Sequence, residues 1–159
     1  MLMKINSNEI ILVSACLAGV NCMWNGESKP CQEVIDLVKQ GKAIPVRPEQ
    51  LGGLRTPRIP QEIQNGTGKD VLGGKCKVVN KNEEDVTKQF IKGAEEALKI
   101  AKLVNAKEFI AKSKSPSCGC GLTYDGTFSG KLIKGDGVAV ALLRKNGIGI
   151  INEKEYQKR

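Results

Sequence analysis

The chain is 159 residues long, enough for one ordinary domain and little more. It carries 25 Lys and Arg against 17 Asp and Glu, a formal charge of +8, and has no histidine. The missing imidazole excludes Ser-His-Asp and Cys-His catalysis and Cys/His zinc fingers, so any chemistry falls to thiols, carboxylates, hydroxyls or a cofactor. No apolar run approaches the roughly 20 residues of a membrane span. The opening MLMKINSNEIILVSACL reads as the approach to a buried strand rather than a signal peptide, so a cytoplasmic setting with no membrane partner is expected. In that setting six cysteines, most of them in Gly-, Ser- and Pro-rich turns, point to metal binding or thiol chemistry rather than disulfides. The lysines are scattered through the second half without a dense run, which is the pattern of a solvated surface, and few aromatic residues are present to stack single strands.

In chain order, Ile10 to Ala15 is a strand, a turn over Gly19 to Pro30 follows, and Cys31 to Gln40 is a helix with Val34, Ile35 and Val38 at helical spacing and Gly41 as its stop. Ala43 to Val46 is a second strand. Arg47 to Gly74, with Pro48, Pro57, Pro60 and many glycines, is a long loop or a partly ordered excursion of the kind that covers a site. Asp70–Leu72 and Lys75–Asn80 pair as a small hairpin. Val86 to Asn105 is a helix, with Phe90, Ala94, Ala97, Leu98, Ala101 and Val104 in one stripe and Asp85 as its cap. Phe109 to Lys112 is a third strand, Ser113 to Gly137 a loop with a short hairpin, Val138 to Lys145 a last helix, and Ile148 to Ile151 a last strand. The alternation predicts an α/β fold: a three-layer, open, mainly parallel sheet of about four strands flanked by helices, with a small hairpin excursion. Residues 1–152 form the single domain, and 153–159 a frayed tail.

In an open parallel sheet, ligands gather at the carboxyl ends of the strands. SACLAG, RPEQLGG and SPSCGCG each follow a strand, so Cys16, Arg47, Glu49, Ser115, Ser117, Cys118 and Cys120 become neighbours at one edge. Cys16 and Cys118 suit a soft metal, an iron–sulfur cluster or zinc, or else are small buried hydrophobes. Cys22 lies on a turn that reaches the same edge. Cys31 and Cys76 read as packing residues. Glu49 is placed for proton transfer, or is a solvated or capping loop carboxylate. Arg55 and Arg58 hold an anionic or carbonyl-rich ligand or lie on the surface. Ser115 and Ser117 flank Pro116 and serve a site or a turn.

Together SACLAGVNCMWNG, PVRPEQLGGLRTPR, KSPSCGCG followed by YDGTFSGKL, and GDGVAVALL resemble the bacterial thiouracil desulfidase family, over about Ile11 to Asn152. The resemblance implies non-redox desulfuration of a thiolated pyrimidine, thiouracil or 4-thiouridine, to uracil or uridine plus sulfide. It implies a four-iron four-sulfur cluster on three cysteines, with one open iron to take the sulfur. Cys16 and Cys118 match ligand positions, Glu49 matches the family glutamate, and Ser115 or Ser117 matches its serine. The family's Cys-Pro-Glu is here Arg47-Pro48-Glu49, and its Cys-Arg-Tyr-Asp-Gly is Cys22-Met23-Trp24-Asn25-Gly26. Either Cys22 or Cys120 then supplies the third thiolate, or the cluster is lost and the chain is a nucleobase- or anion-binding module. Arg47, Arg58 and Asn25 become substrate-binding candidates. Thiolated transfer RNA is a second possible partner, permitted by the charge, but larger relatives carry a further domain and a free base or nucleoside suits this chain better. Oligomeric state is not encoded in any pattern found.

Overall fold

Ile11–Ser14 is buried at every position, which a strand achieves only when both faces of its sheet are covered. In the computed structural model, which describes residues 9–159, the elements in chain order are β1 (Ile11–Ser14), α1 (Gln32–Lys39), β2 (Ala43–Val46), α2 (Pro48–Leu51), β3 (Gln61–Ile63), α3 (Gly68–Leu72), β4 (Val78–Asn80), α4 (Thr87–Leu103), β5 (Glu108–Ala111), β6 (Leu122–Tyr124), β7 (Leu132–Lys134), α5 (Val138–Lys145), β8 (Gly149–Asn152) and α6 (Glu153–Gln157). The first part of the opening segment read above lies outside the described residues. The central sheet has order β2-β1-β5-β8 with every pair parallel. Ile11, Val13 and Ile110 pack on one side with Val34 and Leu37 of α1. Leu12, Phe109 and Ala111 pack on the other with Ala101 of α4 and Val140 and Leu143 of α5. This is the expected three-layer α/β arrangement. The stripe of α4 also faces inward, with Phe90, Ala94, Ala97 and Ala101 buried. The N-cap of α4 is Val86, without a side-chain cap, and not Asp85 as expected; Asp85 lies one residue earlier and accepts the Thr87 N–H at 2.9 Å.

Three further expectations need correction. Arg47 to Gly74 is the ordered excursion and not the long loop, since it holds α2, β3 and α3. Asp70–Leu72 is not a hairpin arm: it lies in α3, whose start is fixed by the Asp70 carboxylate accepting the Thr67 N–H at 2.9 Å, and β4 pairs instead with β3. Residues after 152 are not frayed. They form α6, capped by Asn152, which accepts the Glu155 N–H at 2.9 Å, and docked by Ser113, whose hydroxyl donates to Glu153 at 2.8 Å. The hairpin expected between Ser113 and Gly137 is present as β6 and β7.

Two close backbone approaches set the walls around the strand ends. A methyl group on Gly52 would run into the Gln89 carbonyl, and one on Gly93 into the Pro48 carbonyl, so α2 lies directly on α4. Likewise Gly137 leaves no room beside the Ser117 carbonyl, which accepts the Ala139 and Val140 N–H groups at the start of α5.

Candidate functional site

The connections from β1 and β5 leave in opposite directions, β1 toward β2 and β5 toward β8, so the crevice between β1 and β5 is the switch point of the sheet. A tight turn, Ala15–Ala18, carries Cys16 directly after β1. Arg47 follows β2, and Pro48 begins α2, which turns Glu49 inward. Lys112, Lys114 and Ser115 follow β5.

Glu49 is 1% exposed and lies between two guanidinium groups, Arg47 at 2.7 Å and Arg58 at 3.2 Å, both on Oε2. Its other oxygen, Oε1, is buried without a partner. Arg47 is also buried, and its Nε and Nη1 groups have no acceptor. Burial opposes the charge on Arg47, but Glu49 and the nearby sulfurs outweigh it and hold its pKa above the ordinary value. Burial lowers that of Arg58, only partly offset by Glu49.

Cys16, Cys22 and Cys118 are fully buried and unpaired. Burial pushes the Cys16 thiol up to about 11 and Cys118 up to about 12, with Arg47 pulling both back. Cys22 is raised by burial and likewise feels Arg47. Cys16 feels Cys22, Cys118 feels Cys16, and all three feel the charge of Arg47. Among the described residues no three His, Cys, Asp or Glu side chains converge closely enough to chelate a single metal ion.

Above these groups opens a cavity of about 160 Å³, lined by Met23, Trp24, Arg47, Glu49, Arg58, Pro60, Gln61, Glu62, Lys112, Lys114, Ser115, Pro116 and Tyr124. Arg47, Glu49, Arg58 and Ser115 therefore share one cavity. Ser115 Oγ accepts the Ser117 and Cys118 N–H groups at 3.1 and 3.2 Å, leaving its own proton free to donate. Ser117 is buried behind the wall with an unpartnered hydroxyl. Two candidates lie elsewhere. Cys120 faces the guanidinium of Arg144 at 3.6 Å, and Asn25 is exposed and spends its side chain on Glu27, because its turn faces solvent.

Sequence reading had not singled out Glu62, Gln61, Tyr124 or Trp24. Glu62 accepts the Gly126 N–H at 2.9 Å, which ties the β6–β7 hairpin to the cavity wall. Gln61, Glu62 and Tyr124 arrive from the antiparallel excursions, which the strand-end rule does not cover, and Trp24 from the turn between β1 and α1.

The family profile for 2-thiouracil desulfurase matches residues 11–155. The uncharacterized protein YbbK of Bacillus subtilis (strain 168) is 49% identical over 146 residues, covering 92% of this chain and 97% of the relative. Among solved structures, the [4Fe-4S]-dependent thiouracil desulfidase TudS superposes with a TM-score of 0.84 at 37% identity, covering 94% of each chain. Profile, relative and structure agree along nearly the whole length, and the chain belongs to the 2-thiouracil desulfurase family.

Proposed function

We propose that this protein removes the sulfur of a free thiolated pyrimidine, thiouracil or a 4-thiouridine-type nucleoside. The C=S carbon takes an oxygen from water and sulfide leaves, with no net oxidation or reduction. The observation that carries this reading is Glu49: a buried carboxylate in the lining of a cavity of about 160 Å³, fixed between two guanidinium groups and with its Oε1 unpartnered. At about 160 Å³ the cavity is smaller than the roughly 300–1,000 Å³ of sites for drug-sized ligands. A base fits it better than a polynucleotide, and the scattered lysines offer no groove for transfer RNA. Glu49 Oε1 accepts the proton of the attacking water. Ser115 donates its free hydroxyl proton to an acceptor on the base. Arg58 and Lys112 stabilise the negative charge that develops on the leaving sulfur.

The donor chemistry also suits the cofactor named for TudS. Cys16, Cys22 and Cys118 would hold a [4Fe–4S] cluster, and the orphaned N–H groups of Arg47 would donate to its sulfurs. Bound there, it would supply a Lewis-acidic iron to polarise the thiocarbonyl. Cys22 is the third thiol rather than Cys120, because Cys22 lies in the field of Arg47 while Cys120 faces Arg144. Six free thiols agree with a reducing cytoplasm.

Arg47 gives a second reading its support: a buried guanidinium whose Nε and Nη1 lack an acceptor is also an anion site, so a non-catalytic base-binding module is the alternative. Anaerobic reconstitution with iron and sulfide, followed by a visible spectrum and a sulfide-release assay on 2-thiouracil and 4-thiouridine, separates the two. Broad visible absorbance with sulfide release is expected. A colourless protein that binds the base and releases nothing is the binding module.

A further inference from the structure

We infer that Trp24 is the platform on which the substrate ring stacks, so the site selects a planar heteroaromatic ring and not the thiocarbonyl alone; this rests on the reading of the cavity as a pyrimidine site. Trp24 lines the cavity yet leaves 46% of its surface exposed, among the most open large apolar side chains of the described residues. The backbone that carries it is nevertheless fixed. The Gly26 N–H donates to the Met23 carbonyl at 2.8 Å and the Met23 N–H to the Glu27 carbonyl at 3.0 Å, closing the turn. The Arg58 N–H donates to the Trp24 carbonyl at 2.7 Å, which pins the turn to the segment that carries the cavity's arginine. Asn25 and Glu27 brace it further through their side chains.

The lining divides by chemistry. Trp24, Met23, Pro60, Pro116 and Tyr124 supply apolar and π surface, while Glu49, Arg58, Lys112 and Ser115 supply donors and an acceptor. A pyrimidine divides in the same way, with π faces and polar edges, and an indole is a good partner for such a face. A small thioamide with no ring would use only the polar half. An aromatic on a fixed turn, with open apolar surface and lining a one-ring cavity, therefore has its partner in the base.

Trp24 is the only tryptophan, so all indole emission comes from this position. Titration with uracil or 2-thiouracil is expected to change that emission saturably, while thiourea, which has the thiocarbonyl without the ring, leaves it unchanged. Trp24→Ala is expected to weaken 2-thiouracil binding by about tenfold, and Trp24→Phe to recover most of the loss, in keeping with base–aromatic stacking. Circular dichroism checks that the exposed substitution leaves the fold intact. The inference is overturned if emission stays constant at base concentrations that saturate binding by calorimetry, if Trp24→Ala binds as tightly as the parent, or if no base binds. Uracil binding with quenching but no sulfide release would overturn desulfuration and leave stacking standing. Sulfide release with an unchanged KM in Trp24→Ala would do the reverse.

Discussion

Glu49 and Arg47 are each intelligible only through the other. A buried guanidinium costs several kcal/mol to desolvate, and here Glu49 compensates it at 2.7 Å. Glu49→Gln is therefore expected to lose sulfide release and also to lower the unfolding free energy by about 3–5 kcal/mol, the typical cost of leaving a buried charge unpaired. Urea denaturation reads the second effect, and an unchanged midpoint would mean that Glu49 does not hold the arginines. The thiols separate more finely. Cys22→Ser is expected to lose the visible absorbance gained on anaerobic reconstitution, and Cys120→Ser to keep it. Arg47→Cys should leave cluster content unchanged if Cys22 serves. A gain in both cluster and activity would instead mark the parent as the binding module.

At the scale of elements, the site depends on α2 being pressed against α4. Gly93→Ala places a methyl group on the Pro48 carbonyl and must push α2 away, taking Glu49 with it. The expected result is a loss of about 1–3 kcal/mol in stability, typical of overpacking, with a larger fall in sulfide release than that loss alone accounts for. Leu103→Ala, on the same helix but 84% exposed, should leave both unchanged. The helix itself was legible because Phe90, Ala94, Ala97 and Ala101 repeat at helical spacing over several turns. The short elements α2, β3 and α3 were not, because three to five residues give no period to read. Their signals were local. Thr67-Gly-Lys-Asp70 is a capping pattern and Asn152 a good N-cap, and both were readable where hydropathy was silent.

For the whole molecule, the strand-end rule brought Cys16, Arg47, Glu49 and Ser115 to one edge from the order of elements alone, since parallel strands deliver their loops to the same side. It could not say which way a loop side chain turns. Cys120 faces Arg144, Asn25 faces solvent, and Glu62 and Tyr124 enter from hairpins outside the main sheet. No helix of the described residues is long and apolar enough to cross a membrane. Gathering the thiols in the interior has a global consequence. Burial raises Cys16 to about 11 and Cys118 to about 12, from an ordinary value of 9.0. Below about pH 9 both thiols are protonated in folded and unfolded chains and contribute no pH dependence. Above it the unfolded chain releases protons that the folded one retains, so unfolding gains free energy and stability falls as pH rises toward 11 to 12. Metal-free protein should thus show urea midpoints that decline through this window. Cys118→Ala should begin less stable at pH 7, because of the space it leaves, yet decline with a shallower slope. Parallel slopes for the two proteins would show that Cys118 titrates no differently in the folded protein than in the unfolded chain.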